Sequence, residues 1–83
     1  MVVKLESRIV SYEEAQELLP AFEHVLRGTL KGQHPKKWLK DIMAIVQELR
    51  LVRSDIEYSI GGKQIYLSPN QTALLDNALE EVR

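Results

Sequence analysis

Residues 11–32 read SYEEAQELLPAFEHVLRGTLKG, and whether they form one helix or two decides the fold. Ser11 stands three residues before Glu14, the spacing at which serine and glutamate side chains satisfy each other's backbone donors at a helix start. A helix is therefore expected from Tyr12. At 100° per residue, Tyr12, Ala15, Leu18, Leu19, Phe22, Val25, Leu26 and Leu30 share one arc, with Glu13, Glu17, Glu23, His24 and Arg27 outside it. Pro20 sits on the polar side and the apolar phase runs through it, so one bent helix is expected rather than two. Gly28 and Gly32 both suit the left-handed residue that ends a helix, and Leu30 staying in phase favours Gly32.

Upstream, Val3, Leu5 and Ile9, with Ser7 between them, alternate with Lys4, Glu6 and Arg8 at the period of a strand. Downstream, Pro35 fits a first helical position, with His34 before it as the cap. A second helix is expected from there to about Leu51. Its apolar positions Trp38, Leu39, Ile42, Met43, Ile45, Val46 and Leu49 span about half the circumference, which predicts contact with more than one neighbour.

Gly61-Gly62 separates two short runs. Pairing across that turn sets Ile60 against Lys63, Tyr58 against Ile65 and Ile56 against Leu67, a β-hairpin over 56–67 with Glu57, Ser59, Gln64 and Tyr66 on its other face. Ser68, Pro69 and Gln71 open a last helix lined by Leu74, Leu75, Ala78, Leu79 and Val82. The expected fold is α+β in the order β-α-α-β-β-α. In it a three-stranded sheet packs against an antiparallel helix pair and a C-terminal helix.

With 83 residues, one domain over 1–83 is expected. A chain this short sits near the lower edge of comfortable stability, and a homodimer would relieve that. Hydrophobic residues make up 45% and charged residues 28% at a net charge of −1, the profile of a globular protein. The absence of cysteine excludes disulfides and cysteine–zinc sites and fits a reducing cytoplasm. Lys4, Glu6 and Arg8 interrupt any signal-peptide core, and the longest apolar run, Ile42 to Val46, is far shorter than a membrane span.

Charge is unevenly placed. Arg27, Lys31, Lys36, Lys37 and Lys40 fall in one acid-free stretch, and Lys36, Lys40 and Arg50 share a side of the second helix. Trp38 and His34 lie within this stretch. The bland explanation is a wetted helix face; the functional one is a surface for an acidic protein or for phosphates. Tyr66 is a second candidate contact, unless it pairs across the sheet with Glu57 or is sheltered by the last helix.

No nucleophile elbow, phosphate loop or separated acid–base pair is present, Asp41 and Glu48 lying on the polar side of their helix. His24 with Glu13 and Glu17 is better read as solvated side chains than as a metal site, and no metal or cofactor is expected. The leading expectation is a small non-enzymatic interaction or regulatory protein presenting its basic residues to a protein partner. The alternative is a winged-helix DNA-binding regulator, with helix one split at Pro20, the 35–51 helix as reader and the 60–63 hairpin as wing. A small enzyme is the remote alternative.

Overall fold

The computed structural model describes residues 4–55 and 61–83. Within them the fold is α+β. Strand β1 (Glu6–Val10) leads into helix α1 (Tyr12–Leu30). A 3-10 turn (Lys36–Trp38) then runs into helix α2 (Leu39–Ser54). Strand β2 (Lys63–Leu67) and helix α3 (Pro69–Val82) follow. The first half of the expected hairpin, 56–60, lies outside the described residues, so the sheet described has two strands.

Helix α1 is continuous through Pro20, which is exposed. Both halves of the capping box form at its start: the Glu14 amide donates to Ser11 Oγ at 3.1 Å and the Ser11 amide donates to Glu14 Oε1 at 3.0 Å. The helix ends at Gly32, whose φ is +82°. There the Gln33 amide donates to the Gly28 carbonyl at 2.8 Å and the Gly32 amide to Thr29 at 3.1 Å, a Schellman ending. Leu30, placed on the apolar arc by its phase, is exposed in this last turn. An equivalent box opens α3, where the Ser68 amide donates to Gln71 Oε1 at 3.1 Å behind Pro69.

The core joins the three helices and both strands. Ala15, Leu18, Leu19 and Phe22 of α1 meet Ile42, Ile45, Val46, Leu49 and Val52 of α2, and Val10, Ile65, Leu67, Leu75 and Leu79 close the cluster. Helix α2 touches α1, α3 and β2, as its broad apolar face implied. Buried Thr29 and Thr72 each donate a hydroxyl to a carbonyl four residues back, at 2.8 and 2.9 Å.

Strand β1 departs from the expectation in which face it buries. It pairs antiparallel with β2 in the register Glu6 to Leu67, Ser7 to Tyr66, Arg8 to Ile65, Ile9 to Gln64 and Val10 to Lys63. Opposed residues point to the same face, and Ile65 and Leu67 must face the core, so β1 turns its even-numbered side inward. Val10 is fully buried. Arg8 escapes burial at the rim, where it meets Asp76 of α3 with Nε to Oδ1 at 3.0 Å and Nη2 to Oδ2 at 3.1 Å. Leu5 and Ile9, the apolar side by alternation, face outward at 55% and 61% exposure.

Gly62 of the glycine pair takes a positive φ, +96°. A side chain at Gly62 would collide with Ile9 Cγ2, which gives this glycine a second reason to be there.

Candidate interaction surface

The end of α1, the five-residue turn 31–35 and the start of α2 bring Arg27, Lys31, Lys36, Lys37 and Lys40 to one end of the helix pair, all exposed. None of the five forms an ion pair among the described residues. Elsewhere cations are engaged: Arg8 with Asp76 at 3.0 Å, Arg50 with Glu23 at 3.1 Å, Lys63 with Asp55 at 3.7 Å, and Arg83 with Glu14. Lys4 and Arg53 are the exceptions.

Helix dipoles separate these five cations into two groups. Arg27 and Lys31 sit at the C-terminal end of α1, where a positive charge is stabilising. Lys36, Lys37 and Lys40 sit where α2 begins, the end that disfavours cations by about 0.3–1 kcal/mol each at low ionic strength. Neither the 3-10 turn nor α2 receives a side-chain cap at this end.

His34 is not the cap of the second helix. Pro35 holds the position before the 3-10 turn, and the His34 ring lies against Gly28, where an added Cβ would meet ring carbon Cδ2 at 2.8 Å. The same ring stacks on Trp38 with centroids 6.4 Å apart and planes 17° apart. Trp38, which follows Lys37 and precedes Lys40 in the sequence, is 45% exposed rather than in the core. The sequence signal for this arrangement is the glycine at 28, six residues before the histidine it accommodates.

Arg50 does not join the group. It lies ten residues beyond Lys40, about 15 Å along the helix, and its Nη2 donates to Glu23 Oε2 of α1 at 3.1 Å. Tyr66 stands apart on the outer face of the sheet at 53% exposure, opposite Ser7 and not sheltered by α3. Glu57, its other expected neighbour, lies outside the described residues.

Two carboxylates stand out from their surroundings. Burial pushes the Glu48 carboxyl above its ordinary range while nearby Lys63 pulls it back, which its placement on a polar helix face did not reveal. Arg83 holds Glu14 below the carboxylate range through its hydrogen bonds, against the opposing effect of burial, with the Ser11 amide helping. Asp41 accepts from Gln71 Nε2 at 3.1 Å, tying α2 to α3.

His24, Glu13 and Glu17 are exposed on α1, and no cluster of three or more histidine, aspartate or glutamate side chains suited to a metal occurs among the described residues. None of the described helices is long and apolar enough to cross a membrane. Comparison with protein-family models, with curated proteins and with solved structures finds no match.

Proposed function

We propose that this chain is a non-enzymatic interaction or regulatory protein of the cytoplasm that presents the basic end of its helix pair to an acidic segment of a protein partner. The observation that carries this reading is the position of Lys36, Lys37 and Lys40. They stand at the start of α2, where the helix dipole opposes them, and none of them forms an ion pair among the described residues: Asp41, the carboxylate in that first turn, accepts from Gln71 instead. Their presence costs stability, and a partner's carboxylates would reverse the sign of that cost. Exposed Trp38, adjacent to Lys37, adds an aromatic anchor, with its ring stacked on His34.

A winged-helix reading would use the same lysines together with the glycine turn, and the geometry supports it less well. Val10 pairs with Lys63 and leads directly into α1, which puts the turn at the N-terminal end of that helix. The lysines lie at its other end, about 28 Å away along 19 residues. The turn and the lysines therefore do not form one continuous DNA-facing surface, and α1 is not split at Pro20.

The test is fluorescence anisotropy with a labelled glutamate-rich peptide and, in parallel, labelled duplex DNA, each titrated at low and moderate salt. The expected result is salt-sensitive binding of the acidic peptide, lost in the Lys36→Glu, Lys37→Glu, Lys40→Glu variant with its circular dichroism unchanged. Tighter binding of duplex DNA than of the peptide would replace this reading with the nucleic-acid one.

A further inference from the structure

Among the described residues one edge of β1 has no strand beside it, and that edge carries its own complement. Among the described residues β1 pairs only with β2. The carbonyls of Ser7 and Ile9 accept from arginine side chains, Arg8 Nη1 at 2.8 Å and Arg83 Nη2 at 3.2 Å. This places the odd-numbered backbone groups of β1 on the edge away from β2. The same residues turn apolar side chains outward, Leu5 and Ile9, beside exposed Tyr66 on the neighbouring strand.

We propose that β1 pairs antiparallel with β1 of a second copy of this chain, centred on Ser7, merging the two sheets across a two-fold axis. The sequence Leu5-Glu6-Ser7-Arg8-Ile9 selects both the partner and the register. Centred on Ser7, Glu6 stands opposite Arg8 of the second copy, twice, and Leu5 stands opposite Ile9, also twice. Centring on Arg8 or on Glu6 would set like charges face to face.

The inner face then carries two ion pairs and the outer face a continuous strip of Leu5, Ile9 and Tyr66 from both copies. Arg8 keeps its hold on Asp76, which uses Nε and Nη2, releases the Ser7 carbonyl from Nη1, and exchanges its 3.5 Å ion pair with Glu6 of its own chain for Glu6 of the second copy. Arg83 releases Ile9 and keeps Glu14. Both guanidiniums are solvent-accessible and reorient without unpacking the core. Two short strands bury less than a standard interface, so the dimer is expected at micromolar or weaker affinity.

Analytical ultracentrifugation of the full chain over a concentration series reaching the submillimolar range tests this. Wild type is expected to self-associate to a dimer. Glu6→Arg, which sets arginine against Arg8 of the second copy, is expected to weaken that dimer by about tenfold or more. Arg8→Glu combined with Asp76→Arg preserves an ion pair to α3 and is expected to be monomeric alone, yet to form a heterodimer when mixed with Glu6→Arg. Ser7→Pro removes an amide on the edge away from β2 and none from the β1–β2 ladder, and is also expected to be monomeric. A wild-type chain that stays monomeric at submillimolar concentration overturns the proposal, as does undiminished dimerisation of Glu6→Arg or Ser7→Pro. Failure of the two charge variants to pair, with both folded by circular dichroism, also overturns it.

Discussion

Replacing Pro20 with alanine tests the element on which the fold turns. In a continuous α1, Pro20 withholds the amide that would donate to the Gln16 carbonyl, and its ring crowds that turn. Its side chain is exposed, so removing it opens no cavity. Inside a helix proline is about 3 kcal/mol less favourable than alanine. That figure already includes the freer unfolded chain of the alanine variant. The expectation is a gain of about 3 kcal/mol, which for a domain of this size raises Tm by about 12–24 °C. Urea unfolding followed by circular dichroism, with calorimetry beside it, measures this. If residue 20 instead opened a second helix, proline would be at home there and the substitution would be neutral or destabilising. An unchanged or lowered urea midpoint would refute the continuous helix.

Two further outcomes follow from local chemistry. The Glu48 carboxyl is raised in the folded state, chiefly by burial, so the native protein binds its proton more tightly than the unfolded chain. That contribution falls as pH rises from the unfolded carboxylate range through the folded value and is absent above it. Glu48→Gln is therefore expected to raise stability at neutral pH and to change it little below the carboxylate range, read from urea midpoints across a pH series. Gly62→Ala is expected to lose about 2 kcal/mol or more, from a backbone angle that alanine resists and from collision with Ile9. In an Ile9→Ala background the collision part of that loss should disappear and the backbone part remain, which a double-mutant cycle separates.

The starts of α1 and α3 were the most legible features of this sequence because each is written locally. Ser11 with Glu14 and Ser68 with Gln71 form both capping boxes as spaced, and the apolar arc through Pro20 forms one helix. The facing of β1 was not legible. Alternation identifies a strand but not its inner side, and here the preference of Leu5 and Ile9 is overridden by Ile65 and Leu67 on the partner strand, with Val10 on the even side of β1. The even side could turn inward because Arg8 finds Asp76 at the rim, a partner 68 residues away.

The basic end was legible as a run of charge, since its members are close in sequence. Arg50 was misgrouped because a shared helix side says nothing of distance along the axis or of Glu23 on the next helix. His34 was misread as a cap because local spacing cannot show that Gly28, folded back across the turn, leaves room for its ring.

The claim that Lys36, Lys37 and Lys40 form the functional surface is tested most directly by partner capture. Wild type and the triple glutamate variant, matched in circular dichroism and thermal stability, are immobilised in parallel and exposed to the same lysate, with bound proteins identified by mass spectrometry. At least one acidic protein is expected to be retained by wild type, released by moderate salt, and lost from the variant. Retention of every wild-type partner by the variant would contradict it.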